Sequence, residues 1–373
     1  MRPPSENHIV LTLNCGSSSL KFGLFSARGA GLERLIHGEA EAIGTPQARF
    51  SATVHAGEPI SETVAIATPA DAAQRVFALL ADRSAPEPSA VGHRIVHGGP
   101  SVRRHCVINA EILAELEAAQ IFAPLHTPPA IKVLKLAQAH YQAQPHVACL
   151  DTAFHFPLPD VARRLPIAAA LQADGVERYG FHGLSCESIV HQLGGSIPER
   201  LVIAHLGSGS SVTAVLAGRS IDTTMGLTPS GGVMMATRSG DLDPGLLAFL
   251  IGRHGLDRDR LEATIDRDAG MKGVSGLSGD MRQLRAAHGD PGATLATRMF
   301  VYSVRKAIAG MAAALEGIDQ LVFTGGIGEN DAETRAEVSA GLSWLAIPHV
   351  RVLPAKEDEQ IARHALSLER GRR

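Results

Sequence analysis

LTLNCGSSSLKF (residues 11–22) places a glycine and three serines between two apolar segments. The run that leads into it, HIVLTLN (8–14), is almost continuously apolar, which predicts a buried strand. After the serines, apolar residues occupy every second position of LKFGL (20–24), which predicts a second strand with one buried face. The serines are therefore predicted to form a polar turn between two strands.

The same arrangement returns in RLVIAHLGSGSSVTAVLAG (200–218), again with an apolar run, a Gly/Ser turn and an apolar strand. Two copies of one unit predict two related domains. Apolar residues at helical spacing predict helices at 71–82, 109–119, 129–141 and 294–317. Asn109 is the expected N-cap of the second helix, and Gly317 is placed to stop the fourth. Strands alternating with helices predict α/β domains.

Composition narrows the class of protein. The chain has 373 residues, 45% of them apolar and 20% charged, with a formal net charge of −3. This fits a globular protein and offers no broad attraction for nucleic acid. The N-terminus lacks the apolar stretch of a signal peptide, no apolar run is long enough for a membrane span, and the four cysteines form no C-x-x-C pair. We therefore expect a cytoplasmic protein that binds neither nucleic acid nor membrane.

The serine turn does not match a Walker A loop. That motif, G-x-x-x-x-G-K-[ST], precedes a helix whose N-terminus holds the phosphates. Here Leu20 stands at the second glycine, Phe22 replaces the Ser or Thr after Lys21, and a strand follows. Two interpretations stay open: a hairpin loop in which serine hydroxyls, backbone N–H groups and Lys21 bind a phosphate, or a serine-rich turn without a ligand.

Two further glycine loops also follow strands. FTGGIGEN (323–330) carries three glycines, which let a backbone approach a ligand closely, and HLGSGSS (205–211) lies on the second strand pair. Each taken alone is compatible with a simple turn. Three such loops at strand ends indicate a nucleotide in a cleft between the domains.

Isolated charges in apolar or glycine-rich surroundings are a separate signal. Arg94 lies inside the strand-like run VGHRIVHGG (91–99), Asp151 follows a buried run, and Arg238 lies in a long loop rich in glycine and methionine. A structural ion pair is the alternative for either arginine, and a buried core histidine is the alternative for His182. Two arginines and an acid near glycine loops suit phosphoryl transfer, in which cations neutralise the transferred group.

Nine motifs in a fixed order carry a family resemblance. They are LTLNCGSSSLKF, GHRIVHGG, APLH-x-PP, LDTAFH, RYGFHG, HLGSGSS, TMG-x-TP, TRSGDLDPG and FTGGIGEN. Together they resemble the acetate and propionate kinase family from residue 9 to about 363. The resemblance implies the fold of the actin, Hsp70 and sugar kinase superfamily. Its two RNase H-like domains would be residues 1–149 with a returning helix at 359–373, and residues 150–358.

The same resemblance implies a reaction. It is the reversible transfer of the γ-phosphoryl group of ATP to acetate, giving acetyl phosphate and ADP, with Mg²⁺ or in its place Mn²⁺. Propionate is the alternative acceptor, because an apolar pocket separates acids that differ by one methylene by only ~1 to 3 kcal/mol. A homodimer formed through the second domain is also implied.

Roles for individual residues follow from the matching motifs. The resemblance implies the catalytic residues Arg94, Asp151, His182 and Arg238. It implies that Arg94 binds the acceptor together with Val96, Leu125, Phe181 and Pro229. It implies a metal site organised by Asn14, Asp151 and Glu357. It implies nucleotide binding by Ser17, Ser19, Lys21, His205, Gly207, Ser208, Gly209, Asp280, Met281, Arg282, Gly326, Ile327 and Asn330.

The sequence departs from the family pattern at four places. Ser208 and Thr127 replace asparagines, Cys186 replaces a histidine, and PSGG (229–232) replaces PLEG. None of these removes a proposed catalytic residue. A regulatory nucleotide-binding module of the actin or Hsp70 type is the alternative class of protein, but it does not explain two arginines near the nucleotide.

Overall fold

The computed structural model of the chain describes residues 8–28, 31–54, 58–287 and 289–371. Its strands, in chain order, are β1 (His8–Cys15), β2 (Leu20–Arg28), β3 (Gly31–Glu41), β4 (Arg49–Val54), β5 (Ile60–Thr63), β6 (Ala90–Ile95), β7 (Cys106–Val107), β8 (His146–Leu150), β9 (Arg200–Leu206), β10 (Ser210–Leu216), β11 (Arg219–Thr223), β12 (Gln320–Thr324) and β13 (His349–Val352).

The helices of the described residues are, in chain order, α1 (Pro69–Asp82), α2 (Ala110–Ala118), α3 (Thr127–His140), α4 (Asp160–Arg163), α5 (Ala169–Gln172), α6 (Gly183–Leu193), α7 (Pro244–His254), α8 (Arg258–Asp266), α9 (Gly270–Ser275), α10 (Met281–Ala286), α11 (Pro291–Ala314), α12 (Gly325–Asn330), α13 (Ala332–Ala340) and α14 (Glu357–Arg370). Short 3₁₀ turns lie between some of them. Two compact units contain these elements: Met1–Ala153 with Lys356–Arg373, and Phe154–Ala355. The predicted domain bounds stay a prediction.

The first unit is built on a sheet with the strand order β5-β4-β3-β2-β1-β6-β8-β7. Strands β1 to β5 pair antiparallel, whereas β6 and β8 run parallel to β1. One face of β1 and β2 joins a core with α1 and α3, and α14 packs against the same strands. Because helices cover it this way, β2 is buried from Phe22 to Ala27. The prediction of a single buried face for this strand is wrong.

The second unit is built on a five-stranded sheet with the order β11-β10-β9-β12-β13. Its core combines β9 and β10 with the long helix α11, whose Phe300, Val304 and Ile308 lie on one helical face. Asp290 caps the start of α11 by accepting a hydrogen bond from the Ala293 amide at 2.7 Å. The helix ends at Ala314, before the predicted stop at Gly317.

The two sheets share one topology. In the first unit the central order is β3-β2-β1-β6-β8, and in the second it is β11-β10-β9-β12-β13. Each order has three antiparallel strands followed by two parallel ones. The polar turn lies between the first two strands of each copy. The predicted duplication of a strand, turn and strand is therefore confirmed.

Local sequence signals account for the predicted helices. Asn109 caps α2 as predicted, since its Oδ1 accepts from the Ile112 amide at 2.8 Å. Helices also form near the predicted ranges 71–82, 129–141 and 294–317. Within the described residues, none of the helices combines the length and the apolar character needed to cross a bilayer, α11 included.

Candidate active site

The serine turn joins β1 to β2 in the first unit. The Gly16 amide donates to the Ser19 carbonyl oxygen at 2.9 Å, which closes the turn. A methyl group on Gly16 would lie 2.8 Å from Oγ of Ser19, so a larger residue there would require this hydroxyl to move. Asn14 pairs with Lys21 across the two strands, which puts both side chains on one face of the sheet. The exposed Ser17 hydroxyl and Lys21 ammonium are thus available to a ligand.

Arg94 on β6 is the centre of an ionic network in this unit. Its Nε donates to the Asp151 carboxylate oxygens at 3.2 and 3.0 Å, and its Nη2 donates to Oδ2 at 2.6 Å. Its Nη1 donates to Oδ1 of Asn14 at 3.2 Å. Asp151 comes directly after β8, the parallel neighbour of β6, which explains why the pair meets. The ion pair that the sequence offered as an alternative for Arg94 is present. It joins Arg94 to Asp151, and both residues are predicted to be catalytic.

Asn14 connects this pair to the start of α14. Its Nδ2 donates to Oε2 of Glu357 at 3.0 Å and to Oδ1 of Asp358 at 3.2 Å. Helix α14 begins at Glu357 and packs on β1, so the end of the chain returns to the first strand. The cluster offers carboxylate and amide oxygens, the donors that Mg²⁺ prefers. Three residues predicted for the metal site, Asn14, Asp151 and Glu357, thus lie in one network.

The network carries more negative than positive charge. Burial raises the pKa of Asp358 and the neighbouring Glu357 raises it further, although Asn14, Lys21 and Arg94 oppose the rise. Burial likewise raises the pKa of Asp151 against the effect of Arg94. For Arg94 itself, burial disfavours the charged form, but Asp151 and Glu357 more than offset this and raise its pKa. An additional cation would relieve the repulsion between these carboxylates.

His182 belongs to the second unit, at the N-cap of α6, with a φ of +57°. Its Nδ1 lies 3.0 Å from Oγ of Ser211 on β10. The preceding residue is held by His155, whose Nε2 donates to the Phe181 carbonyl oxygen at 3.0 Å and whose Nδ1 lies 2.8 Å from Oγ of Ser220. Burial lowers the pKa of His155 to about 4, so this ring is neutral near pH 7. The strained backbone of His182 is thereby fixed by its neighbours.

His205 on β9 stacks against His182, with ring centroids 4.2 Å apart and an interplanar angle of 20°. Its Nδ1 lies 2.8 Å from Oγ of Ser185 on α6. Its Nε2 would lie 3.1 Å from a methyl group on Gly325 and 3.9 Å from one on Gly207. The Nε2 edge of the ring therefore faces both glycine segments of this unit.

Arg238 approaches the same place from the long loop after β11. Its Nη1 donates to the Pro229 carbonyl oxygen at 3.0 Å. A methyl group on Gly209 would lie 3.2 Å from Nε2 of His182 and 3.4 Å from Nη1 of Arg238. The two nitrogens thus converge on the turn between β9 and β10. Glycine at position 209 keeps the space in front of them open.

The remaining nucleotide residues of the second unit lie on helices. FTGGIGEN forms the end of β12 and the short helix α12, so the prediction of a glycine loop is wrong there; the Asn330 Nδ2 donates to the Gly326 carbonyl oxygen at 2.9 Å. Asp280 caps α10 and pairs with Arg282 at 2.8 Å, which lowers the pKa of Asp280. Met281 is buried in the core. Binding of a nucleotide by these residues stays a prediction.

The apolar residues predicted to bind the acceptor divide between the units. Val96 is buried and Leu125 half-buried in the first unit, while Phe181 and Pro229 are buried in the second. Thr127, which replaces a family asparagine, is buried, and within the described residues its hydroxyl has no hydrogen-bond partner. The role of the four apolar residues stays a prediction.

Comparison with known proteins identifies the family of this chain. The model of the acetokinase family matches residues 9–362. The chain belongs to this family. It is therefore a kinase, as the nine motifs implied. The acetate kinase of Nitrobacter hamburgensis is 40% identical, and the match covers 96% of either chain.

Solved structures of acetokinase relatives have the same fold. A crystal structure of Porphyromonas gingivalis acetate kinase matches with a TM-score of 0.85 and 32% identity, over 97% of this chain and 99% of that one. A propionate kinase from Francisella tularensis matches with a TM-score of 0.89 and 32% identity, over 97% and 100%. The predicted fold of the actin-like superfamily, with two α/β domains, is confirmed.

Three residues of the clusters escaped the sequence interpretation: Asp358, Ser185 and Ser211. Asp358 adjoins the predicted Glu357, and both serines lie inside or next to motifs that were recognised, GFHG and HLGSGSS. The sequence does not show which residue each of these three side chains contacts. Asn14 and Asp358 are 344 positions apart, so only the folded chain shows that they meet.

Proposed function

We propose that this acetokinase transfers the γ-phosphoryl group of ATP to acetate in the cytoplasm, reversibly and with Mg²⁺. One carboxylate oxygen of acetate forms a bond to the γ-phosphorus, the bond from that phosphorus to the β–γ bridging oxygen breaks, and ADP leaves. The products are acetyl phosphate and ADP. No general base is needed, because acetate is already ionised at neutral pH.

In this proposal positive charge and N–H donors supply most of the stabilisation of the transferred phosphoryl group. Two anions must approach one another, and Arg94 and Arg238 reduce their repulsion by pairing with carboxylate and phosphoryl oxygens. His182 offers Nε2 to an equatorial oxygen of the transferred group. Stabilisation of this kind, with positioning, supplies most of the catalysis in phosphoryl transfer.

The residues of the first unit fit a magnesium ion. Asn14, Asp151 and Glu357, with Asp358 beside them, present hard oxygen donors. Burial and then the neighbouring Glu357 raise the pKa of Asp358, and a bound cation would oppose both effects. When bound, the metal would neutralise charge on the phosphates. Asn14 would orient the carboxylates through its amide, because Nδ2 donates to both Glu357 and Asp358.

The observation that supports the proposal most is the convergence of His182 Nε2 and Arg238 Nη1 on the turn at Gly209. The proposal can be tested by incubating the protein with ATP, Mg²⁺ and each unbranched acid from formate to butyrate. Any acyl phosphate that forms is trapped as its hydroxamate. We expect product with acetate at the highest kcat/KM. Absence of product with every acid would overturn the proposal.

Propionate is the second candidate acceptor. The propionate kinase of F. tularensis is as similar in sequence as the acetate kinase of P. gingivalis, at 32% identity each. A higher kcat/KM for propionate in the same panel would change the acceptor and leave the reaction type intact.

We also propose a homodimer formed through the second unit. Helix α7 contains no buried residue although most of its side chains are apolar. On α11, Leu295, Met299 and Tyr302 are 50%, 42% and 63% exposed and recur at helical spacing. A second copy of the chain would cover such apolar surface. Sedimentation should give a dimer for the wild type and a monomer for Met299→Glu/Tyr302→Glu; a monomeric wild type would contradict it.

A further inference from the structure

The stacked histidines of the second unit share one feature that the reaction alone does not explain. Each ring has its Nδ1 next to a serine hydroxyl: Ser211 at 3.0 Å for His182, and Ser185 at 2.8 Å for His205. Each ring also has its Nε2 turned towards a glycine segment. The two serines come from different elements, β10 and α6, and both are buried.

A serine hydroxyl beside Nδ1 of a neutral imidazole can donate a hydrogen bond to that nitrogen or accept one from it. When the hydroxyl donates to Nδ1, the proton of the ring must reside on Nε2. The ring then offers an N–H donor on its Nε2 edge without carrying a charge. This matters for a stacked pair, because two charged imidazolium rings with centroids 4.2 Å apart would repel each other strongly.

We propose that Ser211 and Ser185 are positioning residues that hold His182 and His205 in the Nε2–H tautomer, with both N–H groups aimed at the glycine segments. Ser211 thereby sets the donor that faces the transferred phosphoryl group. Ser185 sets the donor that faces the nucleotide side, at Gly325. The inference rests on the proposed function, in which His182 binds the transferred group.

The geometry gives each serine a separate effect. Ser211 lies on β10, directly after the turn that carries Gly209, so it couples the position of the turn to the ring that faces it. Ser185 lies in the first turn of α6, three residues after His182. Loss of Ser211 should therefore disturb the transition state, while loss of Ser185 should disturb binding of ATP.

The test compares Ser211→Ala with the matched control Ser188→Ala. Ser188 is a buried serine of α6 whose Oγ accepts from Gln192 Nε2 at 3.1 Å, without a role in the histidine pair. We expect Ser211→Ala to lower kcat about 10- to 100-fold, with KM for ATP and acetate changed less than about twofold. Ser211→Thr, which keeps the hydroxyl, should recover most of the rate.

A second measurement reports on the tautomer directly. In ¹⁵N-histidine-labelled protein, Nδ1 of His182 should give the signal of an unprotonated nitrogen in the wild type and in Ser188→Ala. In Ser211→Ala the signal should shift towards a mixture of tautomers. An unchanged kcat, or an unchanged tautomer in Ser211→Ala, would overturn the inference. If Ser211→Ala does not fold, Ser211→Cys, a weaker donor, takes its place.

The two proposals fail in different ways. If His182→Ala kept the wild-type rate, the role of His182 in phosphoryl transfer would be wrong, whatever the tautomer. If His182→Ala lost the rate and Ser211→Ala kept it, the proposed function would stand and the role of Ser211 would be wrong.

Discussion

The candidate residues of the first unit are held by charge, whereas the histidines of the second are held by neutral hydroxyl and carbonyl groups. Arg94, Asp151, Asn14, Glu357 and Asp358 form one network of ionic and charge-assisted hydrogen bonds. The histidine pair instead contacts two serines. A cluster with excess negative charge suits a metal ion, and neutral N–H donors with one arginine suit a phosphoryl group.

This difference predicts how substitutions in the two clusters should affect stability and activity. In the ionic network one removed side chain leaves a buried opposite charge without its partner, which costs stability as well as activity. In the histidine cluster the lost partner is neutral, so activity should fall with little loss of stability.

The largest effect is expected from Arg94→Ala. It should reduce kcat by about 10³-fold or more. It should also lower the free energy of unfolding by about 3 kcal/mol, because Asp151, 1% exposed, loses the guanidinium that it accepts from. Urea denaturation and the hydroxamate assay measure the two effects.

Arg238→Ala is the matched comparison. Arg238 donates to a neutral carbonyl oxygen, that of Pro229, so a similar loss of rate should come with a smaller loss of stability. Equal losses of stability in the two variants would contradict the contrast between the clusters.

A smaller effect is expected on the free energy of unfolding when the pH is lowered. The pKa of His155 is lowered from 6.5 to about 4 in the folded protein, so the unfolded chain binds more protons between these values. Acidification from pH 7.5 to 5 should therefore lower the free energy of unfolding by about 2 kcal/mol more in the wild type than in His155→Gln.

The exposed His254 provides the control for this acid effect. His254→Gln should keep the pH dependence of the wild type. The same pH dependence in His155→Gln as in the wild type would show that the ring is not held neutral by burial.

The smallest effect is expected at the metal site. Glu357→Gln should weaken Mn²⁺ binding to the enzyme–ADP complex about tenfold, as followed by electron paramagnetic resonance. Glu359→Gln on the same helix, whose carboxylate pairs with Lys356 at 3.4 Å, should bind Mn²⁺ like the wild type. Unchanged binding in Glu357→Gln would exclude this carboxylate from the site.

Local pattern was enough to predict much of the fold. The apolar runs on both sides of the serine turn predicted β1 and β2, and their repetition at 200–218 predicted the duplicated topology. Burial of β2 was underestimated, because α14 reaches it from the far end of the chain. Helix α12 was not predicted, because three glycines within a short stretch are typical of a loop. In the structure these glycines form the short helix.

The site was predictable to the extent that single residues carry a signal. Arg94 and Asp151 stood out as charges in apolar runs, and the structure joins them at 2.6 Å. The contacts of Asp358 and Ser211 depend instead on pairings across the chain: Asn14 to α14, and His182 to the strand 29 positions later. No local pattern encodes such distances, so these residues needed the folded structure.

The central claim is that a carboxylate oxygen attacks phosphorus, with arginine and histidine donors in place of a base. The most direct test uses acetate labelled with ¹⁸O at both oxygens, ATP and Mg²⁺, with the acyl phosphate cleaved by hydroxylamine at its carbonyl carbon. The account predicts that each phosphate released carries one ¹⁸O, visible as an isotope shift in the ³¹P spectrum. Phosphate without label would contradict direct transfer to the carboxylate.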